Sequence, residues 1–261
     1  MSTRGRLFIY RLLFGLFLVA LWELASGRVI DPFWISSPSR VFAYLWEVTG
    51  DGSIFEHLAV TLYETVTGFA IGAVAGIGFG FLLARRQTAA QILDPYIVAF
   101  NGIPRIALAP LFIIWFGIGP TSKVILVVIV VFFLTFFNTY AGVKGVDLEL
   151  QNILRIMGAS ERQILFKVTI PATVPWITTG LKLSVPYALV GAVVGEFIAA
   201  SKGLGYLINY NTSLFSTTGA LGGILILALI VVLSNEAINR VEAHLLRWRP
   251  KEEARTQREL Y

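Results

Sequence analysis

Apolar residues in this chain fall into long windows separated by short charged segments. Charge-free windows run over residues 65–84, 124–142 and 203–235. Two more are nearly clean: 92–116 carries Asp94 and Arg105, and 176–200 carries Lys182 and Glu196. About 20 apolar residues at about 1.5 Å rise cross a hydrocarbon core of about 30 Å, so each window predicts a spanning helix. A shorter first window, 12–25, ends with Glu23 inside it. The pattern predicts six helices, at residues 8–26, 58–84, 92–116, 122–142, 176–199 and 219–240. The expected fold is an all-α membrane protein. A basic start and the small residues Ala25-Ser26-Gly27 also suit a cleaved leader, but six spans require the first helix, so it is expected to be retained.

The segments between the windows are patterned too. Residues 28–56 are too long for a turn. Phe33 and Trp34 suit an interfacial anchor, and Ser39 is placed to cap a short amphipathic helix, 40–48, with Val41, Tyr44 and Leu45 on one side. Asp51-Gly52 turns the chain, and the whole segment reads as lying on the membrane surface. In the second window Gly68, Gly72, Gly76 and Gly80 recur every four residues. That spacing makes a smooth strip where another helix packs closely.

The stretch 144–175 is neither a short turn nor a polar linker. Val146, Leu148, Leu150, Ile153, Leu154 and Met157 make 147–157 an amphipathic helix, which Gly158 can stop. Ser160 can cap a second one, with Gln163 three residues on as its capping-box partner. Ile164, Leu165 and Val168 give it an apolar side, and Pro171 and Pro175 are expected to end it. Two short helices exposing both charge and apolar surface suit docking of a soluble partner; an interfacial pair packed on the bundle is the other reading.

Composition changes the picture in two ways. The chain of 261 residues is 56% hydrophobic and 14% charged, against about 25% charged in a soluble domain, which excludes a soluble enzyme. Cys is absent, so thiol catalysis and cysteine metal sites are excluded. Of the 21 basic residues, 15 fall on one side when the N-terminus is placed inside, four fall outside, and Arg105 and Lys182 lie within spans. Both termini are therefore expected in the cytoplasm, and the net charge of +5 records orientation rather than nucleic-acid binding. The organisation expected is a first helix and outer segment at 1–57, a core at 58–245 containing the cytoplasmic segment 144–175, and a tail at 246–261.

Charges inside a bilayer cost at least about 2.5–3.5 kcal/mol and face the bundle interior or water. Arg105, Lys182 and Glu196 are thus candidates to line a path for an anion, Glu196 near the outer end of helix five as a gate or a cross-dimer partner. Ion pairs and caps at helix ends are the structural alternative. Asn138, beside Thr135, is either a further path residue or an interhelical contact. His57 and His244 lie at opposite membrane faces and cannot build a metal centre. No Gly-Lys dipeptide occurs, so the chain has no Walker A loop to cradle phosphates.

The segment around Gly158 resembles the cytoplasmic signature of binding-protein-dependent ABC importer permeases. Gly158 holds the family's Gly place, Val168-Thr169-Ile170-Pro171 conservatively matches its Ile-x-Leu-Pro ending, and the family's EAA triplet falls on Asn152-Ile153-Leu154, which departs from it. The remainder is similar to the sulfonate, taurine and nitrate branch. Ser36-Ser37-Pro38-Ser39, the Gly ladder, Ile103 to Leu111, Trp115 to Gly119, Gly195-Glu196-Phe197 and Gly203-Leu204-Gly205-Tyr206 come in the same order. The resemblance implies a type I (MetI-like) permease fold in a bacterial inner membrane. It implies ATP-driven import of a small, anionic solute, with ATP and Mg held by a partner and none by this chain. The implied partners are two ATPase subunits, a second permease copy, a periplasmic or lipid-anchored binding protein and membrane lipid, with no nucleic acid. Asn152, Gly158, Ala159, Ser160, Val168, Ile170 and Pro171 are the implied coupling residues. An ion-coupled secondary transporter is the alternative; such proteins commonly carry more spans and an internal repeat. No catalytic set supports an enzyme.

Overall fold

The computed structural model describes residues 3–245, and the expected tail 246–261 lies outside the described residues. In chain order the helices are α1 (Thr3–Ala25), α2 (Pro32–Ile35), α3 (Pro38–Gly50), α4 (Ser53–Ala84), α5 (Gln87–Gly102), a 3₁₀ turn (Arg105–Leu108), α6 (Ala109–Phe116) and α7 (Pro120–Lys144). There follow α8 (Leu148–Ile156), α9 (Glu161–Ile164), a π turn (Leu165–Thr169), α10 (Ile170–Ile198), α11 (Leu204–Ser213) and α12 (Thr217–Leu245). The described residues hold no strand, only an isolated bridge between Ser26 and Ile30. Five rods are long and apolar enough to cross a membrane: α1, α4, α7, α9 through α10, and α12. The α5–α6 pair makes a sixth if it is one crossing.

That pair corrects the expected straight helix at 92–116: it is bent by 80°. The cause is local. Pro104 has no amide hydrogen and pushes the preceding residue out of the helical region, and Ile103 is accordingly extended, at φ −73° and ψ 126°. A second correction concerns α3. Its cap is Ser37, not Ser39, because Pro38 occupies the first helical position, where a missing amide costs nothing.

A third correction concerns the segment 144–175. Pro171 and Pro175 do not end a second short helix; α9, the π turn and α10 run on without a break from 161 to 198. In the π turn the Ile170 amide reaches back five residues to the Leu165 carbonyl, which shifts the hydrogen-bond ladder just before Pro171. Threonine hydroxyls add bonds to backbone carbonyls along the same stretch. Thr173 donates to the Thr169 carbonyl at 2.7 Å, and Thr178 and Thr179 donate to that of Pro175 at 3.0 and 2.8 Å. A local π adjustment of this kind is one of the devices that let prolines persist inside spanning helices. The charge-free window 203–235 also divides, into α11, a turn and the first part of α12.

Contacts group the chain into two compact units. The first comprises Met1–Tyr63 and Val193–Leu229. In it α1 grips α3: the Glu23 carboxylate takes the Ser39 amide at 2.9 Å and its hydroxyl at 2.7 Å. The Trp22 indole donates to the Ile35 carbonyl at 3.1 Å. The second unit comprises Glu64–Ala192 and Ile230–Tyr261. Its core is the packing of α4, α7 and α10 around Ala73, Val127, Val131, Ala188 and Ala192. The Gly strip of α4 lies against α7. A Cβ placed on Gly68 would sit 2.5 Å from the Val127 Cβ, one on Gly72 2.6 Å from the Val128 carbonyl, and one on Gly80 2.9 Å from the Phe136 carbonyl. Only hydrogen at these positions lets the two backbones come so close.

Candidate functional site

The second unit carries a folded elbow between α7 and α10. Asp147 starts α8 by accepting the Glu149 and Leu150 amides, at 2.7 and 3.4 Å. At the other end the Ala159 amide reaches the Leu154 carbonyl at 2.9 Å and the Gly158 amide the Arg155 carbonyl at 3.0 Å. Those two bonds form a Schellman stop, and Gly158 adopts the left-handed φ of +83° that it requires. One residue later Ser160 opens α9 with a reciprocal box: the Gln163 amide donates to Ser160 Oγ at 3.3 Å, and the Ser160 amide to Gln163 Oε1 at 2.8 Å.

A clasp spans the elbow. Arg155 Nε donates to Glu161 Oε1 at 2.7 Å, Nη2 to Oε2 at 3.4 Å, and Nη1 to Asn152 Oδ1 at 2.9 Å. The outer surface of α8 is apolar and open, with Ile156 87% and Met157 76% exposed, and Leu148 and Ile153 more than half exposed. Of the expected coupling residues, Asn152, Gly158, Ala159 and Ser160 thus lie in the elbow itself. Val168 sits in the π turn, and Ile170 and Pro171 begin α10. Beneath the elbow is a polar cavity of about 480 Å³, with Arg85, Lys144, Gln151, Arg155, Glu161 and Thr169 in its wall.

The candidate path residues are not gathered into one site. Arg105 lies at the α5–α6 break, where it donates to Asn101 Oδ1 and its guanidinium sits 4.7 Å from the Phe133 ring centre. Asn138 donates to its own helix, to the Leu134 carbonyl at 2.8 Å, and packs against Gly180, whose Cβ would meet the Asn138 Cβ at 2.9 Å. Lys182 on α10 forms an ion pair with Glu242 on α12, and Thr178 donates to the same carboxylate at 3.1 Å.

Glu196 belongs to the first unit and is 1% exposed. It takes the Thr61 hydroxyl at 2.6 Å and the Gly205 amide at 2.6 Å. Thr61 Oγ1 in turn accepts the Leu204 amide at 2.8 Å, and His57 Nδ1 accepts the Gly203 amide at 3.1 Å. The cap position of α11 is Gly203, which has no side chain to offer, so three side chains from α4 and α10 receive the first amides of that helix instead. Gly203 is at φ +115°, and a Cβ there would collide with the Glu196 carboxylate at 2.3 Å.

The residues that sequence reasoning missed are partners: Glu161 for Arg155, Glu242 for Lys182, Thr61 and Gly205 for Glu196. Each carboxylate or hydroxyl was visible as a polar residue next to an apolar run, but nothing in its spacing named its partner. Among the described residues no group of three or more His, Asp or Glu side chains could hold a metal.

Comparison with known proteins adds four findings. A family model described as binding-protein-dependent transport system inner membrane component matches residues 76–249. The chain is 35% identical over 240 residues to the formylaminopyrimidine transport permease protein ThiX of Halalkalibacterium halodurans, covering 92% of this chain and 96% of that one. It is 31% identical to the taurine transport system permease protein TauC of Escherichia coli, covering 87% and 84%. Among solved structures, a chain of the MetNI methionine ABC transporter in an inward-facing form matches with a TM-score of 0.63 at 19% identity, covering 72% of this chain and 94% of that one.

Proposed function

We propose how this chain works from one premise: it belongs to the family of binding-protein-dependent transport system inner membrane components. It is a transmembrane permease subunit of an ABC importer, a multi-pass protein of the bacterial inner membrane. Its fold is that of the MetI-like permeases. An ion-coupled carrier acting alone is set aside by that membership.

The finer reading is the coupling. ATP and Mg are bound by a separate ATPase subunit, and the elbow around Gly158 seats in a cleft on it. The observation that carries this is the elbow's build: a Schellman stop, a capping box and the Arg155–Glu161 clasp hold an exposed apolar crest in one shape. A rigid crest transmits force where a flexible loop would absorb it. Because α9 continues through the π turn into α10, movement of the crest passes along one rod into the membrane. Two copies of this chain, two ATPase subunits and a binding protein make up the working importer. The solute is small and carries an anionic group, of the sulfonate, taurine or nitrate class. The relative named for taurine supports this choice, as does Arg105, a half-buried cation at the α5–α6 break.

The test is reconstitution. In liposomes holding the permease, its ATPase and external binding protein, uptake should require ATP and stop without the ATPase. Gradient-driven uptake by the permease alone would overturn the reading. Gly158→Val supplies the second arm. Space around a Gly158 Cβ is open, so only the backbone resists, by about 1–2 kcal/mol for a left-handed residue and more for a β-branched one. The variant should insert normally, retain less ATPase on co-purification and import less. Wild-type ATPase retention in that variant removes the elbow as the dock.

A further inference from the structure

We infer that the cytoplasmic end of α4 carries a binding site for one anionic two-tailed phospholipid of the inner leaflet. A furrow of about 900 Å³ opens between α4, α5 and α7, at the upper end of the range of about 300–1,000 Å³ for small-molecule pockets. Its wall is almost wholly apolar, with Leu82, Ile92, Ile97, Phe132 and Phe136 prominent, and its polar end is Arg85 and Arg86. A second furrow of about 640 Å³ lies against Phe81, Leu165 and Ile170 and ends on the same two arginines. Among the described residues no carboxylate lines either furrow.

Two apolar channels converging on two adjacent cations match one particular chemistry: two acyl chains joined at a phosphodiester. The site also stands at the right level. Arg85 and Arg86 follow the last residue of the α4 rod, at the cytoplasmic interface where anionic headgroups concentrate and each basic residue contributes about 1 kcal/mol of attraction. A soluble anion would leave both furrows unfilled. A zwitterionic lipid brings the pair no net charge, and Glu161, whose carboxylate feels Arg85, is already held by Arg155.

The experiment uses the full chain in phosphatidylcholine nanodiscs, with phosphatidylglycerol titrated in and bound lipid counted by native mass spectrometry. The wild type should retain phosphatidylglycerol in preference to phosphatidylcholine. Arg85→Gln with Arg86→Gln should weaken that retention about 30-fold. Ile97→Trp, which fills the apolar wall and leaves the charge untouched, should also weaken it, so the site remains testable if the charge variant folds poorly. Equal retention of the two lipids by the wild type overturns the inference. So does unchanged retention in Arg85→Gln/Arg86→Gln, and so does displacement by free glycerol phosphate at a matching concentration. Efficient disulfide formation between two copies carrying Leu93→Cys would instead assign the furrow to a second permease copy. Lipid retention is read without transport or ATP, so its failure leaves the importer reading standing.

Discussion

A carboxylate that is 1% exposed must be met by donors, and Glu196 takes the Thr61 hydroxyl and the Gly205 amide, both at 2.6 Å. Its chemistry here is that of a remote helix cap. Gly203, at the cap position of α11, brings no oxygen, and Glu196, Thr61 and His57 take over the amides of residues 205, 204 and 203. The same contacts explain the Gly-Leu-Gly run, since a Cβ on Gly205 would press to 2.7 Å from the Val193 carbonyl as well as into Glu196. Glu196→Gln keeps the size but turns one acceptor into a donor facing hydrogens already committed. Leaving a buried donor unmatched costs about 1–3 kcal/mol. The variant should melt at a lower temperature in detergent, Thr61→Val should do likewise, and Thr61→Ser, which keeps the hydroxyl, should stay near wild type. Unchanged melting of Glu196→Gln would show that the carboxylate does not anchor α11.

At the scale of helices, α4 offers an internal control two residues long. A Cβ on Gly76 would lie 2.1 Å from Thr135 Oγ1 and 2.5 Å from the Phe132 carbonyl, whereas one on Gly78 would meet nothing within 4 Å. Gly76→Ala therefore forces α4 and α7 apart, at about 1–3 kcal/mol for overpacking. Gly78→Ala should be neutral or slightly stabilising, by up to about 1 kcal/mol from helix propensity. Thermal melting of the two variants checks this directly, and equal loss in both would mean that the strip does not set the helix spacing. The strip was legible in the sequence because a four-residue period is itself the geometry of one helix face. The capping box at Ser160 was legible for the same reason, since both partners lie within one turn. The bend at Pro104 and the unbroken run past Pro171 and Pro175 were not. Both place a proline beside apolar residues, and the difference lies in the π turn that shifts the hydrogen-bond ladder ahead of Pro171. The Arg155–Glu161 clasp needs the left-handed Gly158 to fold the chain back, and Lys182 finds Glu242 sixty residues away; no local period encodes either.

For the whole molecule the deciding element is the α5–α6 pair, bent by 80°, which either crosses the membrane once or enters and leaves on the same side. The two possibilities invert everything that follows. If the pair crosses, the elbow and Lys144, Arg155, Arg162 and Lys167 face the cytoplasm. If it is re-entrant, those four cations face outward, against the excess of basic residues that cytoplasmic segments carry. The charge distribution thus favours one crossing, six spans and a cytoplasmic elbow where a soluble ATPase can reach it. The chain contains no Cys, so single substitutions report without background. Thr49→Cys, on the exposed face of α3, should react with a membrane-impermeant maleimide in intact spheroplasts. Glu149→Cys, exposed on α8, should react only in inverted vesicles. Labelling of Glu149→Cys from outside would make the pair re-entrant, place the elbow beyond the reach of any cytoplasmic ATPase, and so remove the physical basis for coupling at Gly158.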